Sequence, residues 1–156
     1  MKARKSLLVL GMALAVISLT SLPAPAAVAV SCTINTTSVS FGSYNVFSGL
    51  PLDSTGSVIY NCNRRAAITI TLDRGGAPSF NPRRMLKASE ALNYNLYLDA
   101  SRTTIWGDGT GGTQVYSDRS TPRNRNVAVT IYGRIPAGQD VTAGSYANSV
   151  TVTINF

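Results

Sequence analysis

A two-residue rhythm of apolar and polar side chains runs through this chain and confines it to folds built from β-strands. Ile68, Ile70 and Leu72 alternate with Thr69 and Thr71, and Leu92, Tyr94, Leu96 and Leu98 with Asn93, Asn95, Tyr97 and Asp99. Val127, Val129 and Ile131 oppose Ala128, Thr130 and Tyr132, and Val150, Val152, Ile154 and Phe156 oppose Thr151, Thr153 and Asn155. Successive side chains on a strand point to opposite faces, so each segment offers one face to a core and one to water. Shorter candidates lie at residues 31–34, 37–41 and 57–62. Turn residues separate them: Gly42, Gly49-Leu50-Pro51, Asp73-Arg74-Gly75-Gly76, Gly107-Asp108-Gly109, Gly111-Gly112, Pro136-Ala137-Gly138 and Ala143-Gly144. No sustained 3.6-residue apolar stripe is present, and only residues 82–91 suit a short helical turn. Six or seven short strands in about 130 residues predict an all-β, immunoglobulin-like sandwich.

The first 26 residues stand outside this pattern. Met1-Lys2-Ala3-Arg4-Lys5 is basic, residues 6–19 form an apolar run broken only by small residues, and residues 21–26 add a proline break. This is the layout of a secretory signal peptide, and the run is shorter than the ~20 residues a bilayer requires. Ala24-Pro25-Ala26 places cleavage before Ala27; Ala27-Val28-Ala29 offers a second site, before Val30. The expected organisation is a signal peptide over residues 1–26 and one sandwich domain over residues 27–156. The mature chain is then exported without a membrane anchor.

Cleavage removes Lys2, Arg4 and Lys5, taking the 14 basic residues to 11 and the net charge from +7 to +4. Lys87 is the single mature lysine. The arginines are spread over Arg64-Arg65, Arg83-Arg84, Arg102 and residues 119–134 without interleaved aromatics. That is the pattern of solvated loops rather than of a nucleic-acid groove. The chain has no histidine, which excludes Ser-His-Asp and Cys-His nucleophile pairs and His-ligated zinc or copper. In an exported chain the two cysteines, Cys32 and Cys62, form a disulfide by default, and neither a C-x-x-C spacing nor extra ligands favour redox or metal chemistry.

The remaining motifs are weak. Residues 106–112 are glycine-rich but lack the phosphate-loop order, and Asp99, Asp108 and Asp118 lack EF-hand spacing. Asp73 and Glu90 have no acid–base motif around them. Asn35-Thr36-Thr37 matches a glycosylation sequon. Tyr44, Tyr97, Tyr116 and Tyr146, with nearby arginines, fit an adhesive face and core packing equally well. No enzyme activity, cofactor or metal is expected.

The final alternating segment raises a question of edges. Residues 150–156 run to the carboxyl terminus and contain no lysine, proline or inward charge to blunt a free strand edge. Two arrangements are open: an edge strand beside a vacant slot, or an internal strand with earlier neighbours on both sides.

Several motifs carry a family resemblance. Cys32-Thr33-Ile34, Phe41-Gly42-Ser43-Tyr44 and Ile59-Tyr60-Asn61-Cys62 resemble the spore coat protein U domain family. So do Arg84-Met85-Leu86, residues 92–97 and Trp106-Gly107-Asp108-Gly109, followed by residues 132–136, 143–146 and 150–154. The order spans nearly the whole mature chain, and the same domain builds subunits of archaic chaperone–usher pili. The resemblance implies an incomplete, pilin-type sandwich lacking its last strand. It implies a groove filled first by a periplasmic chaperone, beside an outer-membrane usher, and then by the N-terminal extension of a neighbouring pilus or coat subunit. Val150, Val152, Ile154 and Phe156 would supply part of that acceptor groove, and the family's paired cysteines map onto Cys32 and Cys62. The implied role is a surface structural subunit supporting adhesion or biofilm.

A donor strand needs roughly ten extended residues, whereas residues 27–31 precede Cys32. A tip-like subunit that only accepts, a coat protein that does not polymerise head-to-tail, and an earlier cleavage site all fit. The competing reading is a self-contained secreted coat or adhesin module, with Trp106, Arg123 and Arg125 as candidate surface-binding residues.

Overall fold

The computed structural model describes residues 29–156; the expected signal peptide lies outside them. Eight strands and no helix are found among the described residues: β1 (Cys32–Thr37), β2 (Leu52–Cys62), β3 (Ile68–Leu72), β4 (Arg83–Lys87), β5 (Glu90–Tyr97), β6 (Tyr116–Asp118), β7 (Val127–Ile135) and β8 (Val152–Asn155). They form a five-stranded sheet in the order β1-β2-β7-β5-β4 and a three-stranded sheet in the order β6-β3-β8. All the strand pairings are antiparallel.

The alternation read from sequence is the burial pattern. Ile68, Ile70 and Leu72 are buried on β3, Leu92, Tyr94 and Leu96 on β5, and Ile131 and Ile135 on β7. With Val58, Tyr60, Cys62 and Trp106 they make one core between the sheets. Cys32 faces Cys62 in the β1–β2 register, and the two are joined by a disulfide.

Three local expectations change. Residues 83–87 form strand β4, not a helical turn, and pair with β5 through a two-residue connection in which Ala88 has φ 51°. Its inward positions begin with Arg83, fully buried, and only Met85 after it is apolar, so the strand carried no apolar alternation to read. β2 begins five residues earlier than residues 57–62 because Ser54 and Gly56 occupy inward positions and give no hydrophobic signal. The segment expected as a strand at residues 37–41 leaves the ladder after Thr37 and crosses the inner face of the large sheet.

That crossing explains two glycines. A Cβ on Gly56 would lie 2.6 Å from Thr37 O and 2.8 Å from Val39 Cγ2, and one on Gly133 2.6 Å from Val39 Cγ1 and 2.7 Å from Phe41 Cζ. Glycine inside a strand marks such a close approach. Ser54 Oγ donates to Ser40 O (2.5 Å) and Tyr44 Oη donates to Pro136 O (3.0 Å), fixing the segment at both ends.

Candidate functional site

The site is a groove between the crossing segment and the last strand. Among the described residues β8 pairs with β3 alone, through Leu72↔Val152 to Thr69↔Asn155. Its opposite edge carries no ladder, so of the two arrangements left open by the sequence, the edge strand is the one found. Beside that edge runs a narrow cleft of ≈ 160 Å³ between Thr36–Phe41 on one wall and Asn148, Val150 and Val152 on the other. It continues into a wider opening of ≈ 800 Å³ between residues 38–47 and residues 141–148. The floor is the core itself: Leu72, Tyr94, Leu96 and Ile131 under the narrow part, Met85, Leu92 and Ile135 under the wide part.

The far wall is held by polar contacts. Asp73 Oδ1 accepts from the N–H groups of Thr151 and Gly75 (2.9 Å each), and Asp73 N donates to Thr151 O (3.0 Å), seating the start of β8. Burial alone would raise the Asp73 carboxyl, but these donors and the Arg83 charge hold it below its ordinary value. Further along, Leu86 and Ala147 exchange backbone bonds (2.8 and 3.2 Å). Glu90 Oε2 accepts from Thr142 Oγ1 and Tyr146 Oη, each at 2.5 Å, and pairs with Lys87 Nζ at 3.3 Å. Lys87 Nζ also donates to Ala143 O (2.8 Å) and to Thr142 Oγ1. The Thr142 and Tyr146 hydroxyls, with the lysine, lower the Glu90 carboxyl to about 2. The near wall rests on Phe41, whose ring meets Tyr94 edge-on at 6.0 Å.

Arg83 braces the floor from below. Its Nε and Nη2 donate to Asp73 O (3.0 and 2.9 Å), Nη2 to Trp106 O (2.7 Å), and Nη1 to Asn95 Oδ1 (2.8 Å), with the guanidinium 5.1 Å from the Phe80 ring. Burial pushes its pKa down. These bonds go to carbonyl and amide oxygens rather than to a carboxylate. Sequence reading missed this residue because an arginine is counted as surface by default.

The expected site residues divide. Val150 and Val152 line the groove; Ile154 packs against the core, and Phe156 is 58% exposed and lines neither opening. Arg123 and Arg125 are exposed on the loop after β6. Trp106 is corrected from surface to core: it is 0% exposed and its Nε1–H donates to Ile70 O (2.9 Å), so its ring cannot meet an external ligand. Tyr44, Tyr97, Tyr116 and Tyr146 are half-buried, which favours packing over an open aromatic face. Among the described residues no group of three or more acidic, Cys or His side chains is placed to hold a metal.

Comparison with known proteins follows this architecture. The family model of the Spore Coat Protein U domain matches residues 18–153. "Protein U" of Myxococcus xanthus is 33% identical over 131 residues, covering 76% of this chain and 71% of its own length. The solved CsuC–CsuE chaperone–tip adhesion subunit pre-assembly complex, from archaic chaperone-usher Csu pili of Acinetobacter baumannii, superposes with a TM-score of 0.59 at 22% identity. That alignment covers 83% of this chain and 40% of the solved one, so the chain spans well under half the length of that neighbour, and the likeness is one of fold. The chain belongs to the Spore Coat Protein U domain family.

Proposed function

We propose that this protein is an exported structural subunit of a surface pilus or coat, assembled when a strand from another polypeptide fills the groove beside β8. Residues 1–26 would serve as the signal peptide and residues 27–156 as the assembled domain. The observation that carries this reading is the edge of β8, unpaired among the described residues, alongside an open groove floored by core side chains. A bare edge and an apolar floor are both costly in water, and one inserted strand relieves both. Its backbone would pair with β8, and its alternate apolar side chains would enter the groove. A periplasmic chaperone would supply that strand in transit, an outer-membrane usher would exchange it, and a neighbouring subunit would supply it in the fibre or coat. The fold shared with a subunit captured together with a chaperone supports this sequence of partners. Adhesion or biofilm support at the cell surface would follow, without catalysis by this chain.

The test is strand capture. The mature protein is mixed with synthetic peptides of about ten or more residues, alternating in apolar character, and with scrambled controls. The expected result is a raised melting temperature with the alternating peptide alone, and slowed amide exchange along residues 150–155. A high-melting monomer whose β8 amides are already protected, and which ignores every such peptide, would refute the reading.

A further inference from the structure

We propose that the pole of the sandwich at the disulfide end is a binding surface for an acidic polysaccharide. Two loops build it, residues 63–67 between β2 and β3 and residues 119–126 between β6 and β7. They are stitched together although 55 residues separate Ala66 from Thr121: Thr121 N donates to Ala66 O (3.0 Å), and Ala66 N donates back to Thr121 Oγ1 (3.1 Å). Thr121 Oγ1 donates to Arg64 O (3.2 Å), Asn124 N to Cys62 O (2.8 Å), and Asn61 Nδ2 to Asn126 Oδ1 (2.7 Å). Thr121, fully buried, is the rivet of this seam.

Outside the seam stand Arg64, Arg65, Arg119, Arg123 and Arg125, all exposed. Of the seven acidic residues, Asp118 alone borders these loops. Its carboxylate is already engaged, accepting from Tyr60 Oη (2.6 Å) and Ser120 N (2.9 Å). Arg65, Arg119, Arg123 and Arg125 form no ion pair among the described residues. Sequence alone showed scattered arginines; the fold gathers five of them on one seam.

Arginines without carboxylate partners keep their planar N–H forks for bidentate contact with external anions, and their joint field concentrates polyanions. The surroundings select the class of polyanion. The two loops contain no aromatic side chain on which bases would stack and no large apolar side chain to enter a bilayer. They do offer Ser120, Asn124 and Asn126, whose hydroxyl and amides suit sugar hydroxyls. A hydrated polymer with regularly spaced acid groups fits that combination. The pole lies at the Cys62 end of β2, whereas the wide part of the groove lies by Ile135, which pairs with Leu52 at the other end, about 35 Å away along the strand. The pole and the wide part of the groove are therefore separate surfaces, and this inference does not rest on the strand-acceptor reading.

The experiment measures binding of the purified mature protein to immobilised alginate, with neutral dextran and a short duplex DNA as comparisons, at about 50 and about 200 mM NaCl. Alginate binding is expected to fall steeply with salt, and dextran is expected not to bind. The variant combining Arg119→Gln, Arg123→Gln and Arg125→Gln is expected to lose about tenfold or more in affinity at an unchanged melting temperature. A control pair away from the seam, Arg74→Gln with Arg84→Gln, is expected to stay within about twofold. Equal binding to dextran, an unaffected triple variant, or duplex DNA binding about tenfold or more tighter than alginate at matched salt would each overturn the proposal.

Discussion

Replacing Gly133 with alanine tests whether the crossing segment shapes the groove. The added Cβ would stand 2.6 Å from Val39 Cγ1 and 2.7 Å from Phe41 Cζ, well inside van der Waals contact. Neither neighbour is free to retreat. Val39 is also pressed on Gly56, and Phe41 is edge-on to buried Tyr94. Overpacking a fitted core by one methyl costs about 1–3 kcal/mol, which for a domain of this size lowers the melting temperature by roughly 4–12 °C. The same displacement moves the near wall of the groove, so capture of a complementing strand is expected to weaken in parallel. Thermal denaturation followed by circular dichroism, with and without the peptide, reads both effects. A double-mutant cycle then isolates the clash: in a Phe41→Ala background, Gly133→Ala should cost at least about 1 kcal/mol less than in the parent. Gly49→Ala is the control, because nothing lies within 4 Å of its added Cβ, and it should be neutral or slightly stabilising. If Gly133→Ala melts within about 0.5 kcal/mol of the parent, the close crossing is not a constraint and the argument fails.

Three further outcomes are expected. Cys32→Ser opens a link spanning 30 residues, a loss of ~3–4 kcal/mol in the loop-closure picture, and secreted yield should fall sharply; parental yield would contradict this. Arg83→Met strands Asp73 O and Trp106 O without their donor and leaves Asn95 Oδ1 with the Leu96 N–H alone. Even after relief of a buried charge it should cost about 2–4 kcal/mol by chemical denaturation, whereas a stabilised variant would show the arginine to be net unfavourable. Glu90 has its carboxyl lowered from 4.5 to about 2, so its clasp on Thr142 and Tyr146 stabilises fully above pH 4.5 and is lost as pH falls toward 2. The melting temperatures of parent and Glu90→Gln should accordingly differ at pH 6 and converge near pH 2; curves that stay parallel would refute the assignment.

The alternation along β3, β5, β7 and β8 was legible because each strand buries one face, and burial writes a period of two into the residues. The disulfide was legible from the cysteine count and the expectation of export. β4 and the first half of β2 were not, and for related reasons. On β4 the first inward position is an arginine whose donors are taken up by the Asp73 and Trp106 carbonyls, and on β2 it is a serine bonded to Ser40 O and a glycine whose missing bulk is supplied by Val39. Where another segment provides the filling or the hydrogen bonds, local pattern carries no trace of it.

Composition and periodicity by themselves determined a β-sandwich without histidine chemistry, carrying one cross-link and a strongly alternating final strand. Only the tertiary arrangement decided that this strand has a neighbour on one side among the described residues, that Trp106 is core rather than contact surface, and that separate arginine pairs share one pole. The physical reason is that side-chain period reports which face is buried, whereas edges, grooves and poles depend on which segments meet across the sheets.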